Sequence, residues 1–322
     1  MKTIKDIAKE ANCSISTVSK ALNDRSDVSK KTKERILKIV EKYNFYPNAF
    51  GKGLKRKSTE NIGVIFCRES KPLSQNPFYS RVLEGIEAEL ALNNYNLVLH
   101  LLPAGGKIEV PKMILEKQVD GIILISVVRQ QFINKISNFN IATVLIDPNI
   151  SIKNLSQVLI DNEHGAFMAI QYLLKKGHKR IGFISGSLDR LSFKLRYNGY
   201  KKALDFYKCS LDPDLVKTGG LEEGYYHVAE LLDLKNPPTA IFSTNDLNAI
   251  YGYKAIKERN LKIPEDISVM GFDDIEFRVY KEELGSIAVR NLLQSLNNKI
   301  DNSTTTIVPI KLIERLSIAK RN

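Results

Sequence analysis

The chain has 322 residues, long enough for two or three domains that each bury a core, and carries a formal net charge of +12. Its three cysteines, Cys13, Cys67 and Cys209, are odd in number, far apart and without a C-x-x-C pair, so neither a disulfide framework nor a zinc site organises the fold, and a reducing compartment is expected. The opening MKTIKDIAKEANC is charged every few residues and does not read as a signal peptide, and no apolar run reaches the length of a membrane span, so a cytoplasmic chain with no membrane partner is expected.

The charge is concentrated at one end. Residues 1–60 hold twelve Lys and three Arg against three Asp and four Glu, a balance of +8 that leaves +4 for the other 262 residues. A basic N-terminal segment is either a solvated tail or a polyanion-binding module, and periodicity decides between them. Ile4, Ile7, Ala8 and Ala11 follow the spacing of one buried helical face, with Thr3 as cap and Asp6 three residues on. After Asn12 and Cys13, Ser14 caps a second short helix whose Val18, Ala21 and Leu22 face inward. Ser29 caps a third, with Ile36, Leu37, Val40 and Tyr43 as the remaining core. Two short helices across a tight turn form a helix-turn-helix pattern, and a disordered tail shows no such stripes.

Pro47 stops the third helix, and PNAFGKGLKRKST, Gly- and Lys-rich, reads as a linker. The predicted organisation is a headpiece over 1–46, a hinge over 47–60 and an α/β region over 61–322. In that region β-branched runs (NIGVIF, NLVLHLL, VDGIILIS, ATVLID) alternate with amphipathic helices such as YSRVLEGIEAELAL. The rhythm then restarts with QVLIDN, a helix from His164 to Lys176, KRIGFIS, a helix near Leu195 to Tyr207, TAIFST, a helix from Leu247 to Arg259, and SVMGFDD. Two doubly wound parallel halves predict two lobes with a ligand cleft at their strand carboxyl ends.

On the second helix the 100° turn per residue points Ser16 and Lys20 away from Val18 and Leu22, with Ile15, Ser19 and Asn23 beside them. Small polar and cationic groups opposite a core stripe are what major-groove reading requires, since base edges must be reached without bulk. The run TIKDIAKEANCSISTVSKALN resembles the headpiece of the lactose/galactose repressor family, and SKKTKERILKIVEKYNFYPNA resembles the third helix and hinge entry that follow it. NIGVIF, NPFYSRVLEGIE, VDGIIL, KRIGFISG, NGYKKAL, PTAIFSTND, ISVMGFDD and LIERLS resemble further family landmarks in family order, across nearly the whole chain.

The resemblance implies a periplasmic-binding-protein-like sensor domain, a homodimer, regulation from palindromic double-stranded operator DNA with repression ahead of activation, and no cofactor. Ile15, Ser16 and Lys20 would contact bases, while Ser14, Thr17, Ser19 and Asn23 would hold phosphates. Asn48, Lys55 and Arg56 complete the implied DNA-binding set, and Leu54 matches a leucine that wedges into the minor groove. Gly51 and Gly53 depart from the more helix-prone residues usual in that hinge, each at a cost of about 0.8–1.0 kcal/mol relative to alanine. The tail ERLSIAKRN has no leucine heptad, so a dimer rather than a tetramer is expected.

For the sensor cleft the resemblance points to Phe78, Tyr79, Asp147, Arg190, Ser192, Arg196, Asn245 and Asp273. Aromatic faces with Arg, Asn and Asp suit a polar ring, with sugars and sugar phosphates first and purine-like ligands behind. Each has a plainer reading: Phe78 as core, Asp147 as a helix cap, Arg190 as a solvated charge. The four histidines, His100, His164, His178 and His227, have no metal-ligand spacing, and His178 in KKGHKR reads as surface. GKGLKR, GGK and FISGS match neither phosphate loops nor a nucleophile elbow, so no enzyme is expected. The rival classes are a solute-binding protein of the same fold and an α/β sugar-modifying enzyme fused to the headpiece. One departure from the family falls between Phe277 and Arg278, where GFDDIEF runs straight into RVYKEELG and about ten residues of a Pro-containing turn and short crossing strand are missing, beyond ordinary loop variation. A more open cleft beside Asp273, with looser coupling between the lobes, is the expected consequence.

Overall fold

The structure, a computed structural model, describes residues 2–22, 25, 27–43, 58–67, 77–102, 109–126, 128–150, 152–220, 223–274, 281–298 and 303–321. They fall into two compact units, Met1–Thr59 and Glu60–Asn322. In the first, the apolar periodicities become helices α1 (Ile4–Glu10), α2 (Ile15–Leu22) and α3 (Lys30–Lys42). A capping box starts α1: Thr3 Oγ1 accepts from the Asp6 N–H, and the Asp6 carboxylate accepts from the Thr3 N–H at 2.8 Å. The turn into α2 is made by Asn12 at φ 46°, a left-handed conformation that asparagine tolerates better than most residues. Ile7, Ala8, Ala11, Val18, Ala21 and Ile36 form the core. Leu37 does not join them: it is 42% exposed, because the helical turn carries it off the face of Ile36, and Ile39 packs on the core instead. Glu10 ties α1 to α3 by accepting from Lys42 Nζ (3.0 Å) and the Tyr43 hydroxyl (3.1 Å).

The second unit contains two parallel sheets. The first has the order β10-β5-β4-β3-β1-β2, from β1 (Asn61–Cys67), β2 (Asn96–Leu102), β3 (Gly121–Ser126), β4 (Ala142–Ile146), β5 (Ser156–Ile160) and β10 (Thr305–Val308). Side chains alternate across it. Ile62, Val64, Ile123 and Ile125 face α4 (Pro77–Leu92) and α11 (Lys281–Asn298), while Ile65, Ile122 and Leu124 face α5 (Lys112–Leu115) and α6 (Gln130–Ser137). Helices α4 and α11 touch backbone to backbone: a Cβ at Gly85 would sit 1.9 Å from the Glu282 carbonyl oxygen, so only glycine fits there.

The second sheet has the order β7-β6-β8-β9, from β6 (Ile181–Gly186), β7 (Val216–Gly219), β8 (Ala240–Ser243) and β9 (Ser268–Met270). One of its faces packs on α7 (Asn162–Lys175) and α8 (Leu191–Phe206), the other on α9 (Gly224–Leu232) and α10 (Asp246–Glu258). The lobes are not two consecutive halves of the sequence. After β9 the chain returns to the first lobe, where α11 packs and β10 pairs with β5, and the tail then crosses again so that Val269 N–H donates to the Ser317 carbonyl at 2.9 Å. That tail covers His178, which is fully buried rather than at the surface. Its Nε2–H donates to the Ala319 carbonyl (3.1 Å), so Nδ1 accepts from Thr239 Oγ1 (2.9 Å).

Candidate functional site

In the headpiece, Ser14 sets the start of α2, its Oγ accepting from the Thr17 N–H at 3.0 Å and lying 2.8 Å from Thr17 Oγ1. Val18 and Ala21 are buried on one side of α2, and Ile15, Ser16 and Lys20 are exposed on the other, with Ile15 a 44% exposed apolar side chain. Thr17 and Ser19 flank that face half-buried. Lys20 Nζ is 2.5 Å from Asp27 Oδ2, with both side chains about half exposed. Such a solvent-exposed pair is a weak, readily exchanged tie. Asn23, Asn48, Leu54, Lys55 and Arg56 lie outside the described residues, as do Phe277 and Arg278.

In the second unit, Phe78, Tyr79, Asp147, Arg190, Ser192, Arg196, Asn245 and Asp273 all line one cleft of about 70 Å³. They come from both lobes and far-apart segments: the first turn of α4, the ends of β4 and β9, the start of α8 and the cap of α10. Within the first lobe Tyr79 Oη donates to Asp147 Oδ2 (2.8 Å), and across the lobes it accepts from Arg190 Nη2 (3.2 Å). Arg196 is 4% exposed; Nε donates to Asn162 Oδ1 (2.8 Å) and Nη1 to Asp273 Oδ1 (3.2 Å) and the Thr244 carbonyl. Its guanidinium also lies 3.7 Å from the centre of the Phe272 ring. Asn245 Oδ1 caps α10 by accepting from the Asn248 N–H at 2.8 Å, which leaves its amide N–H groups for other partners. Among the described residues no side chain caps α8, so the N–H groups of its first turn, next to Ser192, also point toward the cleft end of the helix.

The plainer readings of these residues divide. Asp147 is followed by no helix and serves Tyr79 rather than a cap, and Arg190 is half-buried against Tyr79 rather than solvated. Phe78 does pack on the core of the first lobe, edge to face with Tyr79 at 4.9 Å, and lines the cleft as well. The backbone is strained at the same places: Asp147 has φ 46° and Asp273 φ 108°, a conformation unfavourable for a residue with a Cβ and found where the surroundings enforce it. Burial pushes Asp273 up to about 7, against the pull of Arg196, and also raises Asp147, against Arg190 and the Tyr79 hydrogen bond. Burial, then the Asp147 charge, holds the Tyr79 phenol well above its usual range.

Sequence reasoning missed Phe193, which lines the cleft and stacks under Arg190 at 5.2 Å, and Asn162, the acceptor that orients Arg196. Phe193 sits one residue after Ser192 and three before Arg196, so helical spacing alone places it on the neighbouring face. Asp273 is held by Arg196, and the shortened segment from which a more open cleft was expected lies outside the described residues.

A helix-turn-helix headpiece joined to a two-lobed, doubly wound domain with a polar cleft between its lobes defines a ligand-responsive DNA-binding regulator. The signature "Bacterial regulatory proteins, lacI family" matches residues 3–48, and "Periplasmic binding protein-like domain" matches residues 170–318. The ribose operon repressor of Haemophilus influenzae is 32% identical over 99% of both chains, and the HTH-type transcriptional repressor PurR of the same species is 32% identical over 93% of this chain and 92% of its own. The lac repressor dimer bound to operator and the anti-inducer ONPF superposes with a TM-score of 0.86 at 24% identity, covering 99% of each chain, which concerns the fold. The chain belongs to the lacI family of bacterial regulatory proteins and is a DNA-binding transcriptional regulator with an effector-binding domain, not an enzyme. The match to the ribose operon repressor runs over 333 aligned positions against 322 residues in this chain, so at least 11 positions of the relative have no counterpart here.

Proposed function

We propose that the chain acts in the cytoplasm as a homodimeric repressor of a palindromic operator, and that the interlobe cleft binds a neutral monosaccharide. The convergence of eight side chains from both lobes on one narrow cleft carries this reading. Its two carboxyls, Asp147 and Asp273, are matched by two guanidinium groups, Arg190 and Arg196, each already engaged. A sugar phosphate would need a spare cation, whereas hydroxyls can enter between charges that stay paired. At about 10–15 Å³ for one water, the cleft holds roughly five to seven, about what a monosaccharide displaces. Titration calorimetry with ribose, other pentoses and hexoses, ribose 5-phosphate and hypoxanthine tests this. A neutral sugar as the tightest ligand is expected; tighter binding of the phosphate or the purine overturns it.

For DNA, Ile15, Ser16 and Lys20 read bases, Ser14, Thr17, Ser19 and Asn23 hold phosphates, Asn48, Lys55 and Arg56 add backbone contacts, and Leu54 wedges the minor groove. Lys20→Ala is expected to relax base preference by about 1–3 kcal/mol at one position of each half-site. Lys55→Ala should instead weaken all sequences alike and lower the salt slope by about one. Selection from random duplexes followed by a salt series decides, and a Lys20 variant with full preference would mean another face reads the DNA. Sedimentation with operator duplex tests the dimer.

A further inference from the structure

The start of α8 carries Arg190, Ser192 and Phe193 into the cleft, so the contacts that fix this helix end also fix the groups a ligand meets there. Arg190 holds the N-cap position, and an arginine side chain cannot accept from the orphan N–H groups of the first turn. One of those donors is met from the other lobe: the Leu191 N–H donates to the Asn149 carbonyl at 3.3 Å.

Asn149 follows β4, two residues after Asp147, and lies outside the cleft lining. Its side chain is engaged as well. Oδ1 accepts from the Val128 N–H at 2.8 Å, and Val128 is fully buried, packed in the core with Phe132 and Ile136 of α6. Asn149 thus ties together the chain after β3, the chain after β4 and, across the cleft, the first residue of α8. The tie from Arg190 Nη2 to the Tyr79 hydroxyl crosses the cleft from the adjacent residue. A hydrogen bond ends beyond about 3.5 Å, so capping of α8 and approach of the lobes are one event.

We propose that Asn149 is a positioning residue for effector binding: anchored by Val128, its carbonyl caps α8 across the cleft and sets the placement of Arg190, Ser192 and Phe193. It acts through those groups and not by touching the ligand. The proposal rests on the reading of the cleft as the effector site, and its test separates the two. Leu191→Pro removes the donor. Proline is accommodated at the first position of a helix, and Arg190 before it already has φ −77° and ψ 127°, the extended conformation a residue preceding proline adopts. Leu191→Ala, which shortens the side chain and keeps the N–H, is the reference. Calorimetry of both full-length variants with ribose should show binding about two- to tenfold weaker in the proline variant, the worth of one hydrogen bond. Circular dichroism checks that both fold. Amide hydrogen exchange reads the same tie without a ligand: Val128 and Leu191 should exchange faster in Asn149→Ala than in the natural chain, and Asn149→Asp, which again offers Val128 an acceptor, should restore their protection. Equal ribose affinity in the proline and alanine variants, or unchanged exchange at Leu191 in Asn149→Ala, overturns the proposal. If the natural chain binds no ribose, the sugar reading fails by itself and the exchange result decides on Asn149.

Discussion

Arg196→Met is expected to lower the unfolding free energy by about 3–5 kcal/mol and to abolish effector binding, because it removes one partner of a buried pair and leaves the other without compensation. The Arg196 side chain is 5% exposed and that of Asp273 13%, and the guanidinium also satisfies Asn162 and the Thr244 carbonyl, so three acceptors lose their donor at once. The methionine stem keeps much of the packing against Phe193 and Phe272, which separates loss of charge from loss of volume. Adding Asp273→Asn should return a large part of the stability without restoring binding, since the uncompensated acid is gone while the ligand contacts are still missing. Urea unfolding of the two single variants and the double variant gives the coupling energy. Nearly additive losses would show that Arg196 acts through its neutral acceptors rather than through Asp273. Calorimetry with the sugar panel supplies the second readout, and an Arg196→Met chain that still binds sugar would remove Arg196 from the recognition set.

The headpiece and the sheet rhythm were legible because they depend on local periodicity. Thr3, Ser14 and Ser29 act as caps as their spacing predicts, and β1–β6, β8 and β9 begin within a few residues of the apolar runs that announce them, whereas β7 and β10 had no such run. Leu37 was misread because ILKIV puts apolar residues on more than one helical face, and burial chose Ile36 and Ile39. Strand β7, with the sequence VKTG, is too short and polar to announce itself, and it pairs because β6 presents an edge. The cleft residues were legible through resemblance rather than period, since nothing local links Phe78 to Asp273. His178 and Lys281 illustrate what local sequence leaves out. Each sits among charged neighbours in the chain and is buried by segments that return from far away, the tail over His178 and the crossings between the lobes around Lys281.

Stability in the natural chain is expected to fall, relative to Asp273→Asn, as pH rises toward 7. Asp273 moves from an ordinary 3.8 in the unfolded chain up to about 7 in the folded one, chiefly through burial. Between those values the folded state holds a proton that the unfolded state has released, so this contribution is fully present below 3.8 and is lost as pH passes through about 7. The slope is at most about 1.4 kcal/mol per pH unit for one proton. Arg196 and Lys281 oppose the shift, while Asp246 and Asp147 add to it, and Asp147, itself raised by burial, contributes with the same sign. His178 and His227 act in the other direction: burial lowers both, so below about 6.5 the unfolded chain takes up protons the folded one does not, and stability rises with pH there. Subtracting the asparagine variant's profile cancels the histidines, and parallel profiles from about pH 5 to 8 would show that Asp273 does not titrate in this window. The same proton links to the effector. A carboxylate accepting from ligand hydroxyls favours the ionised form, so sugar binding at about pH 6.5 should release a fraction of a proton and tighten toward about pH 8. Calorimetry in buffers of different ionisation enthalpy reads this directly, and a binding heat independent of the buffer would exclude Asp273 from contact with the ligand.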